Sequence, residues 1–229
     1  MKKTFYCEAA YAAGIISLAL GSAFMERADY GMSMVVAPAY LLHLKISQYL
    51  PFYTFGMSES VLQAVLLFIL SLCLGRFKKS CLFSFVTAVI YGFTLDGLIA
   101  LVGLIPFDGS VPARIVYYIL GLLTCGFGVA CLFHTYLPPE AYELFVKEIS
   151  AKYGTDIHKT KTVYDCVSCL TGVILSFAFF GFGHFEGVKW GTIVCSAVNG
   201  WLISRFSKWM EPRFEFKTAL PALKEIMSR

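Results

Sequence analysis

Charge is scarce in this chain. Asp, Glu, Lys and Arg make up 15% of its 229 residues, against about 25% in a soluble domain. With 58% of the residues hydrophobic, too few polar side chains remain to cover a watery surface, and an ordinary soluble globule is excluded. Catalytic strings are missing too. There is no GxSxG, no HExxH and no Walker lysine, and "GFG" at 126–128 and 181–183 lacks the strand–turn–helix setting of a phosphate loop. The four histidines, His43, His134, His158 and His184, are scattered. With neither a nucleophile–base set nor a metal set in view, the chain reads as no enzyme, and nothing calls for a cofactor or metal. Its eight cysteines are not spaced like a secreted disulfide framework. "DCVSC" (165–169) holds a CxxC without the second pair or histidine that zinc needs. The cysteines read as small packing residues.

Long apolar runs are what the chain has instead. About 20 such residues cross a bilayer as a helix. Six stretches qualify: 8–26, 59–76, 80–105, 112–135, 162–183 and 188–208. Runs this long favour helices over an outer-membrane barrel. The N-terminus, "MKKTFYCEAAYAAGIISLALGSAFM", imitates a signal peptide, but Glu8 interrupts the run early, so it reads as a retained first span. With a cytoplasmic N-terminus, fifteen of the nineteen Lys and Arg residues fall inside, leaving Arg27, Lys45, Arg114 and Lys189 outside. Both termini are therefore expected in the cytoplasm, with 211–229 as a basic tail along the inner membrane surface. The net charge of +4 suits an anionic inner leaflet and needs no nucleic-acid partner.

The runs also repeat. Ser84, Ala88, Gly92, Asp96 and Ala100 stripe one face of the third span. Thr192, Ser196, Gly200 and Ser204 stripe the sixth at a constant offset of 108. Ala13, Ser17 and Gly21 stripe the first span, and Gly121, Cys125 and Gly128 the fourth. Such stripes let helices approach closely in lipid. Aligning Gly21 with Gly128 sets "ERADYGMS" on "FHTYLPPE", each followed by an amphipathic segment, "MVVAPAYLLHLKIS" or "AYELFVKEISAKYG", expected outside the membrane. "SVLQAV" and "TVYDCV" then open the next spans, setting Gln63 opposite Asp165. The expected fold is all-α: six transmembrane helices in two repeats, about 8–106 and 112–210, in one membrane domain. Three spans per repeat turn the second copy upside down, a plan that secondary transporters use with the substrate site at the repeat interface.

The order of features resembles the YitT/YczE-like integral membrane proteins, a bacterial family. The resemblance rests on "ADYGMSM", "YGFTLDG", "YLPPEAYELFVKEISAKYG", "KTKTVYDCVSCLTGVIL" and "KWGTIVCSAVNGWLISRF", which together cover most of residues 10–210. The sequence departs from the usual pattern in having Lys161 and Asp165 where an arginine and a glutamate are usual. The resemblance implies the architecture and a bacterial cytoplasmic membrane; it brings no established activity.

Ionisable residues inside a membrane are expensive and often functional. Asp96 lies on a small-residue stripe, about 24 Å above Ser80 at about 1.5 Å per residue. Glu26, Arg27 and Asp29 reach a similar height, so the four form one candidate outer cluster, with water or headgroups as the plain alternative. The inverted counterpart collects His134, Glu140, Asp165 and Ser204 near the inside. "LPPE" (137–140) has the proline and acid of a helix start. Lys161 stands four residues before Asp165, at helix-pair spacing. Gln63 and Asn199 can hydrogen-bond across helices. The function expected is a small-solute transporter. The alternatives are a substrate-binding subunit of a multi-component importer and a non-transporting scaffold or accessory protein. The partners left open are the lipid bilayer, an unidentified solute and a second copy of the chain.

Overall fold

The computed structural model describes residues 2–183 and 185–221. The end of the expected tail, from residue 222, lies outside the described residues, as does His184. The described residues form eight helices and two short strands. The elements run β1 (Lys3–Tyr6), α1 (Cys7–Ala28), α2 (Ala37–Ile46), α3 (Phe55–Leu74), α4 (Lys79–Gly103), α5 (Val111–Phe133), α6 (Ala141–Tyr153), α7 (Ile157–Phe180), α8 (Trp190–Met210) and β2 (Phe214–Lys217). Five of them, α1, α3, α4, α5 and α7, are long and apolar enough to cross a membrane. The expected sixth span, α8, is long enough at 21 residues. Its Asn199, Arg205, Lys208 and run of hydroxyls leave it short of the same apolarity. The chain is an integral, multi-pass helical membrane protein.

Helices α1 and α5 cross at the centre. Their contact is made by glycine on both sides. A Cβ on Gly14 would stand 3.0 Å from the Gly128 carbonyl, and one on Gly121 would stand 3.0 Å from that of Gly21. Such close backbone approach replaces the hydrophobic drive that lipid removes. Helix α4 flanks α1, and α8 flanks α5. Helix α3 packs along α4, where the Gly56 and Gly92 backbones touch, whereas among the described residues α7 does not pack along α8.

The two short helices are not surface helices, which corrects the expectation from their amphipathic pattern. Helix α6 begins beside the middle of α3, where the Ala141 N–H donates to Gln63 Oε1 at 3.2 Å. It then runs along α3 to its end, where Lys152 reaches the Cys73 carbonyl. Ala141 and Tyr142 are buried, and Leu144 packs with Leu67 and Leu70. Helix α2 begins near Gly172 of α7 and runs outward until Lys45 Nζ meets the Phe179 carbonyl at 3.5 Å. Its first residues, Ala37 to Leu41, are buried. The segments before both helices therefore turn back into the protein.

Such a return needs its backbone polar groups satisfied. In the first break Asp29 (φ 54°) and Gly31 (φ 102°) reverse the chain. The Met32 N–H then donates to the Gly187 carbonyl at 2.8 Å, and the Gly191 N–H to that of Tyr30 at 2.9 Å. Only glycine fits at 31, since a Cβ there would lie 2.6 Å from Thr192 Oγ1. In the second break the Ser84 hydroxyl donates to the Pro139 carbonyl at 2.7 Å and Thr87 to that of Pro138 at 3.4 Å. After α8, residues 214–217 form a strand. Strand β2 pairs in parallel with β1, Lys3 opposite Phe214, and Phe5 stacks between Phe214 and Phe216.

Candidate functional site

The two breaks end at one cavity of about 100 Å³. Ser33, Val35 and Val36 reach it from the start of α2, and Pro139, Glu140, Tyr142 and Glu143 from the start of α6. Helices α1, α4, α5, α7 and α8 close it with Ser22, Tyr91, Cys125, Lys161 and Asn199, among apolar neighbours. Helix starts carry unsatisfied N–H groups and a positive dipole end, so two of them at one cavity make a polar centre within an apolar protein. Ser22 and Tyr91 share a hydrogen bond of 2.9 Å in its wall.

Glu140 is the principal ionisable group. It stands at the N-cap position of α6, is 5% exposed, and its Oε1 has no hydrogen-bond partner. Asn199 Oδ1 is likewise buried without a partner. Lys161 lines the same cavity and holds Asp165 at 2.9 Å. The cavity thus offers two carboxylates, one ammonium already engaged, an amide and hydroxyls. That set can hold a small polar solute by hydrogen bonds and has room for positive charge.

The expected clusters are brought together only in part. On the first one, Asp96 turns to α3: its carboxylate accepts from Thr54 Oγ1 at 2.6 Å and from the Gly56 N–H at 2.8 Å, capping that helix. Arg27 donates to the Ile105 carbonyl at 2.6 Å and lies over the Phe107 ring at 5.1 Å. Asp29 is exposed and pairs with Lys189 at 2.6 Å and Arg114 at 3.6 Å. Glu26 is half-buried in the last turns of α1. These four do not share one site. Of the second group, Glu140 shares the cavity with Lys161, which pairs with Asp165. His134 instead bonds the Ala130 carbonyl at 2.8 Å and stacks on Phe216. Ser204 is exposed on the outer face of α8.

The model of a family of unknown function, DUF6198, matches residues 5–208. The chain belongs to this family. No curated protein and no solved structure matches. The matched region takes in both breaks, both short helices and every residue of the cavity, and stops short of β2.

Sequence reasoning missed Glu59 and Tyr142. Glu59 is the first residue of the expected second span, 59–76, and drew no reading of its own. It is fully buried in α3 and takes the Tyr142 hydroxyl at 2.7 Å. The signal was available: Glu59 and Gln63 are four residues apart, as are Lys161 and Asp165, and the alignment that sets Gln63 opposite Asp165 sets Glu59 opposite Lys161.

Proposed function

We propose that the protein is a small-solute transporter whose site is the cavity at the starts of α2 and α6, between two inverted three-span repeats. The observation that carries this reading is Glu140: a buried carboxylate, unpartnered at Oε1, in a cavity that both breaks enter. Transporters of inverted-repeat design bind solutes where interrupted helices meet near mid-membrane, and irregular backbone at that depth is tolerated where it lines such a cavity.

Support for the repeat comes from matched contacts. Gly14 meets Gly128 and Gly21 meets Gly121, and an offset of 107 converts one pair into the other. Gly31 lies on Thr192 and Pro139 on Ser84; an offset of 108 relates these pairs in the same crossed way. Helix α6 lies on α3 as α2 lies on α7. This is the pattern of a two-fold axis through the α1–α5 crossing. Helix α8 then serves as the sixth span, packed on α5 through Leu202 and Phe206, and both termini face the cytoplasm of a bacterial cell.

The test is uptake by liposomes carrying the purified protein, over a panel of small polar solutes with and without ion gradients. Transport of at least one solute, lost in Glu140→Gln, is the expected result. A wild-type protein that moves none of them under any gradient overturns the reading.

A further inference from the structure

Glu59 is a buried acid outside the cavity's lining. It is 0% exposed. Tyr142 Oη donates to its Oε2 at 2.7 Å and Gln63 Nε2 to the same oxygen at 3.3 Å, while Oε1 has no partner. Among the described residues no lysine, arginine or histidine pairs with it. The groups around it are acids and phenols. Tyr91 faces it from α4, Tyr164 from α7, and Glu140 and Tyr142 from the start of α6, with Glu143 beside them. From α2, Tyr40 and His43 pack on Phe55, one turn away. The ammonium of this cluster, Lys161, is held by Asp165. An ionised carboxylate in such surroundings is costly, and a bound proton removes the charge.

Tyr142 lines the cavity and bonds Glu59, so it joins the two. A phenol both donates and accepts. We propose that Glu59 is a proton-binding site that exchanges its proton with the cavity through the Tyr142 hydroxyl. In the inward step a proton from the cavity bonds to Tyr142 Oη as the phenolic proton passes to Glu59 Oε2. With hydronium as the proton donor in the cavity, two O–H bonds break, the hydronium's and the phenol's, and two form; water is left behind, and nothing is oxidised or reduced. The return step is the reverse. The use of this proton, as the coupling ion for a solute beside Glu140, rests on the transporter reading; the binding of the proton does not.

The test is infrared difference spectroscopy of the full chain in lipid nanodiscs, in mildly acidic buffer exchanged from H₂O to D₂O. The carbonyl stretch of a protonated carboxylic acid shifts on exchange. The expected band is present in the wild type and missing in Glu59→Gln. In Tyr142→Phe it remains, but its deuterium shift is slowed severalfold. A wild type without the band, or a Glu59→Gln protein that keeps all of it, overturns the site. Exchange in Tyr142→Phe as fast as in wild type overturns the relay, and this comparison decides the matter even where Glu59→Gln does not fold. The band together with a failed solute panel leaves the proton site standing and removes the transporter. Solute uptake without the band does the opposite.

Discussion

Helices α3 and α4 are welded together; α7 and α8, the last two helices of the described chain, are apart. In the first pair Gly56 and Gly92 touch through their backbones, and Ser84, Ala88 and Gly92 are buried under α3 and its neighbours. In the second, Ser196, Gly200 and Ser204 are exposed, and a Cβ on Gly200 would meet nothing within 4 Å. One pattern of small residues thus has two states, covered and bare. The lesson is that a stripe read from sequence reports what a helix face allows, and the opposing helix decides whether the contact is made. The cavity lies on the unwelded side, between Lys161 of α7 and Asn199 of α8.

The sharpest way to break this comparison is to fill the glycines. Gly92→Leu should force α3 off α4, costing about 3 kcal/mol because it meets the Gly56 backbone, which cannot swing aside, as well as Ser60 Oγ. Loss of folded protein in detergent, followed by size-exclusion chromatography and melting, is the measurement. Gly200→Leu should change the melting temperature little, within about 0.5 kcal/mol. Its informative readout is transport. If the second half closes during the cycle as the first is closed here, Gly200→Leu slows uptake while stability holds. Wild-type uptake in that variant would show that α7 never comes to rest on α8.

A smaller effect is expected at the acid that begins the welded pair. Asp96 was read as a substrate ligand, but it holds the start of α3 through Thr54 and the Gly56 N–H. Asp96→Asn keeps one acceptor and loses the charge, which should cost about 1–2 kcal/mol. Ser204→Ala, at the matching place on α8, should cost nothing measurable. Paired melting curves of the two variants test this. A fall in uptake by Asp96→Asn beyond its loss of folded protein would return Asp96 to the site.

What composition and spacing left open about Asp96 and Glu59 has one cause. The order of spans, the glycine faces and the two breaks were legible in composition and spacing. So was Glu140, from "LPPE". Whether a break between apolar runs reaches water or folds back is not a local property. The amphipathic pattern of 141–153 fits a helix on a membrane surface and equally one wedged beside α3, because both bury one face. The deciding contacts, Ser84 and Thr87 with the proline carbonyls, join residues more than fifty positions apart. Once the break is placed inside, Glu59 moves from an edge to the interior, and Asp96 stands where α3 starts rather than beside Arg27.

The fastenings of the two breaks give the mildest contrast. The Ser84 and Thr87 ties of the second are uncharged hydroxyls on proline carbonyls, and Tyr136 in the same break donates to the Glu8 carboxylate at 2.6 Å. The first is tied in addition by Lys189, which reaches Asp29 at 2.6 Å and Glu186 at 3.2 Å. Burial alone would pull the Lys189 ammonium down, but the hydrogen bond and charge of Asp29, with those of Glu186, outweigh it and leave its pKa above the ordinary 10.5. For a raised lysine the contribution to stability is complete below 10.5 and fades as pH climbs through the folded value. Across the neutral range the tie is therefore constant, and only strongly alkaline conditions loosen it. Asp29 is nearly half exposed, so screening holds the effect of Asp29→Asn to about 0.5 kcal/mol. Melting curves of the wild type and Asp29→Asn should differ slightly at neutral pH, and the gap should narrow only in strongly alkaline conditions, where Lys189 loses its charge and Arg114 keeps its own. A gap that widens with pH would mean that Lys189 is not what Asp29 holds. Added salt should narrow the gap at neutral pH, since these charges lie within reach of solvent, whereas Ser84→Ala, which removes an uncharged tie, should be insensitive to both.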